Sequence, residues 1–391
     1  MNLYFDTAAT TYVCDEAITA MEHSMRENFG NPSSLHSKGM KSEQSLNEAR
    51  KFFSATLGVS SKEIYFTSGG TESNNLALQG IAKAYQRDGK HIVTTSFEHP
   101  SVGSTLASLA DEGYEITWIP ISKQGIIDAE ELCASIRKDT ILVTVMHVNN
   151  EIGLIQDLVK LGTLIKEKNV NTLFHVDGIQ GYMKFPINLK QAKIDLFSAS
   201  SHKIYGPKGV GLLYIKQNTK IKPMLFGGSQ QSSIRPGTEN APGIMGFYAA
   251  AKRLDPLKNE YFTKVAEIKK QLIQLIVDKL PEWSINSGET TQDIMNPKWS
   301  PYIVSIRSKS IKGEVLLHAL EDYSICVSTG SACSSKKLNI SHVLKSIGLK
   351  DEESDRTIRV SLNHEHSFED IEFFVEALVK IDAQFGRFTK K

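Results

Sequence analysis

The sequence predicts an α/β protein: a large domain on a mainly parallel sheet, followed by a small α+β domain at the carboxy-terminal end. Three observations carry that prediction. From about residue 60 to 215, apolar strand-like runs alternate with amphipathic helix-like ones, the order that a parallel sheet with crossover helices produces. Several of the strand-like runs are continuously apolar, as strands covered on both faces are. The length of 391 residues exceeds what one hydrophobic core fills, so two domains are expected.

Taken in order, an arm at residues 1–15 precedes a large domain placed at 16–254. Its strand candidates are Ile64–Phe66, His91–Thr95, Glu115–Ile119, Ile141–Val148, Thr172–Val176, Asp195–Ala199 and Val210–Ile215. Leu254-Asp-Pro-Leu257 marks the boundary, and 255–391 forms the small domain. There Val265, Ile268, Leu272, Leu275 and Ile276 make the apolar face of a helix over Tyr261–Leu280, stopped by Pro281. Short strands come next at Tyr302–Arg307, Ser324–Val327 and Thr357–Leu362. Ser367-Phe-Glu-Asp370 reads as a capping box, with Asp in place of Glu, opening the last helix.

Composition narrows the function class. Apolar content of 40% and charged content of 23% are ordinary for a globular enzyme. With 45 basic and 44 acidic residues the net charge is +1, so neither direct nucleic-acid binding nor a membrane surface is expected. No apolar run reaches the roughly 20 residues of a membrane helix. Met1–Asp6 lacks the basic and apolar regions of a signal peptide, so a cytoplasmic location is expected. Cys14, Cys133, Cys326 and Cys333 are scattered without a Cys-x-x-Cys pair; no metal site or disulfide framework is indicated, and Cys326 reads as core.

In open α/β sheets ligands collect beyond the carboxyl ends of the strands, so the residues just past each strand-like run carry the functional reading. After Asp195–Ala199, the tight connection Ser200–Gly211 holds Lys203. A partly desolvated lysine can anchor a carbonyl cofactor as a Schiff base; a solvated loop lysine is the alternative. Thr67-Ser-Gly-Gly-Thr71 leads into a helix beginning near Glu72, which suits a phosphate, or is simply capped by threonine. His99 can stack on a flat ring and shuttle protons, or serve structure alone. Thr172–Asp177 drives a carboxylate into the core, where it needs a cation. A pyridinium nitrogen would supply that charge, and capping the next turn is the other use for Asp177. Gln180 is placed to reach the same ring's phenolic oxygen, and Asn149-Asn-Glu-Ile-Gly153 adds amides able to hold a carboxylate, or forms a glycine turn. An imine lysine, a ring-nitrogen carboxylate, a stacking histidine and a phosphate cup together are what pyridoxal phosphate requires.

Nearly end to end, the chain resembles the NifS/IscS-like cysteine desulfurases of the class V aminotransferase superfamily. The landmarks are Asp6–Thr11, Asn28–His36, Thr67–Ser73, His147–Gly153, His175–Asp177, His202–Gly209, Arg235–Thr238 and Gly330-Ser-Ala-Cys333. The resemblance implies the pyridoxal-phosphate fold type I, a seven-stranded sheet in the large domain, and a homodimer. It implies that Lys203 carries the cofactor, Asp177 pairs with its ring nitrogen, Gln180 bonds the ring oxygen, and His99 stacks and moves protons. Gly70, Thr71, Ser200 and His202 would hold the phosphate, with Thr238 reaching over from a second subunit; Asn150 would contact the cofactor and, with Arg359, clamp the substrate carboxylate. Cys333 would take sulfur from L-cysteine as a persulfide and donate it to an acceptor protein, a tRNA-thiolation enzyme or an iron–sulfur scaffold. Its small, polar surroundings suit an exposed loop, and Lys336 and Lys337 would favour the thiolate. Gly178 stands where the family commonly has alanine and Ser201 where glycine is common. The competing readings are a class V aminotransferase or selenocysteine lyase, which needs no persulfide cysteine, and, last, a non-catalytic sulfur carrier.

Overall fold

The apolar runs assemble into one large sheet. The computed structural model describes residues 3–122, 126–288, 298–329 and 341–385. The sheet has seven strands, in the order Ile64–Thr67, Gly211–Ile215, Leu196–Ser200, Leu173–Asp177, Thr140–Met146, His91–Thr95, Glu115–Ile119. Neighbours are parallel except where they meet Gly211–Ile215. That strand reverses because the connection before it is too short for a parallel crossover, which takes about a dozen residues or more. Val93, Val143, Phe174, Phe197 and Leu212 enter one core, and Ile92, Leu142, Leu173, Leu196 and Leu213 the other. Both parities are therefore apolar, and for that reason the runs read as unbroken. Helices Ser37–Leu57 and Ala241–Leu254 cover the first face, and Gly70–Tyr85 and Pro100–Asp111 the second.

A further core joins helices Lys258–Lys279 and Phe368–Phe385 to an antiparallel sheet ordered Thr357–Ser361, Ile303–Arg307, Ser284–Ile285. Ser367 N–H donates to Asp370 Oδ2 at 2.8 Å and Asp370 N–H to Ser367 Oγ at 3.2 Å, so the capping box forms with aspartate. Leu3–Tyr4 of the arm pairs in parallel with Ile325–Cys326, and Leu3 and Phe5 join the further core. Two details differ from the sequence expectation. The helix expected from Tyr261 starts at Lys258, because Lys258–Glu260 add a polar first turn that apolar periodicity does not register. Cys326 is half-buried on the short strand Ile325–Cys326 and not part of the core.

Burial also places histidines inside. His175 lies between Thr144 Oγ1 at 2.8 Å and Ser198 Oγ at 3.0 Å, and burial pushes its pKa down to about 3. His147 is pushed down to about 4 by the same cause. Unfolded, both titrate near 6.5. Between those values the unfolded chain binds more protons, so stability present above about pH 6.5 is lost as pH falls towards 4. The expected loss is about 2 kcal/mol per imidazole at pH 5. His175→Gln should flatten the profile of Tm against pH below 6.5; an unchanged slope would count against this account.

Candidate active site

The carboxyl ends of the central strands converge on one site, and the buried carboxylate is its base. Asp177 ends its strand at 2% exposure. Its Oδ2 accepts from Asn74 Nδ2 at 2.8 Å and its Oδ1 from the Ile179 N–H at 3.1 Å. Burial raises its pKa, while His99, the two donors and Lys203 oppose the rise. One oxygen thus caps the following turn, one of the two uses foreseen for Asp177. Gly178 comes next because a Cβ there would lie 2.0 Å from the Phe197 ring.

Lys203 closes a single 3-10 turn, Ser201–Lys203, between antiparallel strands. Its Nζ donates to the carbonyls of Ala8 and Ala9, each at 2.6 Å. Gln180 Nε2 donates to the same Ala8 carbonyl at 2.8 Å, leaving its Oε1 buried without a protein partner. The Thr11 N–H and Oγ1 donate to His202 O at 2.9 and 3.1 Å, and Thr10 Oγ1 lies 3.2 Å from His202 Nδ1. Burial, helped by Lys203 and Lys208, pushes the His202 pKa down to about 4. Residues 6–11 of the arm therefore form one wall of the site.

At the opposite wall, helix Gly70–Tyr85 starts with Gly69 at its N-cap, φ +151°, and no side chain caps it. Thr71 lies inside the first turn, exposed, so the threonine-cap alternative is not realised. A Cβ on Gly70 would come 2.1 Å from Ile179 Cδ1 and 3.7 Å from Ser200 Cβ, which puts Ser200 against the bare helix start. Ser200 Oγ is buried without a partner. An uncapped helix start beside an unpaired hydroxyl suits an anion.

His99 is itself the N-cap of helix Pro100–Asp111, half-buried, its Nδ1 3.1 Å from the Ser101 N–H and 2.8 Å from Ser101 Oγ. Burial lowers its pKa, Asp177 opposes, and Lys203 and His342 add to the lowering. Arg359 is buried; its Nη1 donates to Asn150 O at 2.9 Å and its Nη2 to Asp6 Oδ1 at 2.7 Å, while Nε has no partner. Asn149 is structural: its Oδ1 accepts from the Glu151 and Ile152 N–H groups at 2.9 and 3.0 Å and its Nδ2 donates to Phe97 O. Asn150 remains half-buried. Thr238 is exposed, in the segment whose Arg235 pairs with Glu72 at 2.8 Å. Cys333 lies outside the described residues. A cavity of about 1180 Å³ at the other end of the strands, beside Asp195 with its partners Lys166 and Lys216, holds none of these groups.

Sequence reasoning missed Asn74, Ser101, Asp6 and the carbonyls of Ala8 and Ala9. For Asn74 a signal existed: it is a polar residue on the buried face of an amphipathic helix. The set fits one flat group bearing an aldehyde, a hydroxyl, a protonatable ring nitrogen and a phosphate: the unpaired Gln180 Oε1 can accept from the ring hydroxyl, and the unpaired Ser200 Oγ can donate to a phosphate oxygen.

A family model described as aminotransferase class-V matches residues 3–374. The chain belongs to that family. Among curated relatives of this class-V chain, cysteine desulfurase IscS of Methanosarcina thermophila is 41% identical over 379 residues, 97% of this chain and 91% of its own. The solved structure of a NifS-like protein has a TM-score of 0.90 at 32% identity, covering 98% of this chain and 100% of its own. That of SspA in complex with cysteine has a TM-score of 0.77 at 30% identity, over 92% and 98%. As a class-V member the protein depends on pyridoxal phosphate.

Proposed function

We propose that this class-V protein is a cysteine desulfurase that turns L-cysteine into L-alanine and carries the released sulfur on Cys333 as a persulfide. The observation that carries the reading is the convergence of Lys203, Asp177 and His99 at the ends of the central strands, where Asn74 and Ser101 join Asp177 to His99 by hydrogen bonds and Lys203 closes the turn after the neighbouring strand. Lys203 holds the cofactor, Asp177 keeps a proton on its ring nitrogen, and Gln180 meets the ring oxygen. Gly70, Thr71, Ser200 and His202 hold the phosphate. When bound, pyridoxal phosphate supplies an electron sink for the bonds to be broken.

The remaining work falls to the chain. Arg359 and Asn150 grip the substrate carboxylate; Asp6 and the Asn150 carbonyl steady the guanidinium, and the unpaired Nε supports room for an anion. Lys203 and His99 stand where protons on the substrate must move. The Cys333 thiolate attacks the substrate sulfur. A sulfur–sulfur bond forms as the carbon–sulfur bond breaks, the bonding pair stays with carbon, and carbon takes a proton to finish as alanine.

Arg359→Lys is expected to raise KM for cysteine about 10- to 100-fold, from the loss of a charge-assisted bidentate contact. Cofactor absorbance should be retained. A loss of cofactor with unchanged KM would reassign Arg359.

A homodimer is supported by the exposure of Thr238 and by bare apolar side chains, Leu35 at 94% and Phe226 at 88% exposed. We place the reaction in the cytoplasm; no helix among the described residues is long and apolar enough to cross a membrane. The sulfur acceptor is a tRNA-thiolation enzyme or an iron–sulfur scaffold. Mass spectrometry of Cys333 after cysteine addition, with and without either acceptor, tests the reading. A gain of one sulfur atom, matched by alanine and lost on transfer, is expected. Alanine without that gain would overturn the persulfide route, and amino transfer to a keto acid in place of alanine formation would point to an aminotransferase. Alanine from selenocysteine but not from cysteine would mark a selenocysteine lyase.

A further inference from the structure

The residues behind Asp177 and His99 are joined to each other. Asn74 is fully buried, and its Nδ2 lies 2.8 Å from Asp177 Oδ2 and 2.9 Å from Ser101 Oγ. An ionised carboxylate only accepts, so the amide nitrogen must face it; the reversed amide would set oxygen against oxygen. Asn74 is then a donor to both neighbours. Ser101 Oγ, accepting from Asn74, has its own hydrogen for the other atom in reach, His99 Nδ1 at 2.8 Å. The Ser101 N–H donates to the same Nδ1 at 3.1 Å, because His99 caps the helix.

Two donors therefore converge on one ring nitrogen, which must offer a lone pair, and the ring proton sits on Nε2. Protonating Nδ1 would turn it against the Ser101 N–H, undo the cap and place a cation at the positive end of a helix dipole.

We propose that Asn74 and Ser101 are positioning residues that lock His99 as the neutral, Nε2-protonated imidazole, so that it serves as a hydrogen-bond donor through Nε2. The proposal rests on the site assigned above to Asp177 and His99 and narrows the role of His99 from moving protons to donating a hydrogen bond, which leaves proton transfer at the substrate carbons to Lys203. Among the described residues, the charged and titratable groups facing His99 are Asp177, Lys203 and His342.

Long-range proton–nitrogen NMR on protein labelled with [15N]histidine, before and after cofactor loading, tests this, with His99→Gln assigning the signal. An unprotonated Nδ1 and a protonated Nε2 are expected as pH is lowered through the ordinary histidine range near 6.5. Ser101→Ala and Asn74→Ala should shift the signal towards mixed tautomers and an ordinary titration, and Ser101→Thr should restore it. An Nδ1-protonated or cationic ring in the unmodified protein, or a signal unmoved in Ser101→Ala, overturns the proposal. If Asn74→Ala does not fold, Ser101→Ala decides alone. The measurement on cofactor-free protein stands by itself; failure to bind pyridoxal phosphate would instead sink the site reading.

Discussion

Lys203→Ala is expected to lower desulfurase turnover by about a thousandfold or more and to abolish the visible imine absorbance of the loaded protein, because both the covalent anchor and the proton-moving amine go together. The fold should survive. In the unloaded chain Lys203 donates hydrogen bonds to the Ala8 and Ala9 carbonyls from a half-buried position. Each is worth about 1 kcal/mol net, so the arm loosens while the sheet stays. The rival amine is Lys184. It lines the same small cavity as Lys203, and burial pushes its pKa down to about 8, which gives it the free-amine character an imine needs. Absorbance spectra of the Lys203→Ala and Lys184→Ala variants, with borohydride trapping, separate the two. Imine absorbance that persists in Lys203→Ala and disappears in Lys184→Ala would move the anchor.

Cys333→Ser should separate the two halves of the chemistry. Cofactor absorbance and cysteine binding are expected to match the unmodified protein, while alanine and sulfide production fall by about a thousandfold, since a hydroxyl is a poor nucleophile towards sulfur at neutral pH. The other cysteines offer no ready substitute. Cys14 is buried and its pKa is raised chiefly by that burial, and Cys133 and Cys326 lie half-buried on a helix and a strand. Quantifying alanine by chromatography checks the prediction. A serine variant that still makes alanine from cysteine at the original rate would end the persulfide assignment.

Most of the fold and part of the site were legible in the chain. Strand positions came within a residue or two, since a strand buried on both faces needs an unbroken apolar run, as in Thr140–Met146. Lys203, Asp177 and Gly70 could be picked out as candidates because each sits at or just past a strand end, in a connection whose residue types leave few other uses. The helix start at Gly70, two residues before the expected one, was less so: helix ends depend on cap geometry, and Gly69 supplies no side-chain signal. Asp6 could not be read as the partner of Arg359, because 353 positions separate them and neither residue type names its partner.

By itself the sequence determined the fold class and the chemical inventory, because periodicity and residue type are local properties that burial and reactivity act on directly. Only the tertiary structure decided who touches whom. The strand order in the sheet is not the order in the chain, so the pairing of Asn74 with Asp177, of Ser101 with Asn74, and of the amino-terminal arm with Lys203 appears only when the sheet closes. Hydrogen bonds act over about 3 Å, a distance that sequence separation does not encode.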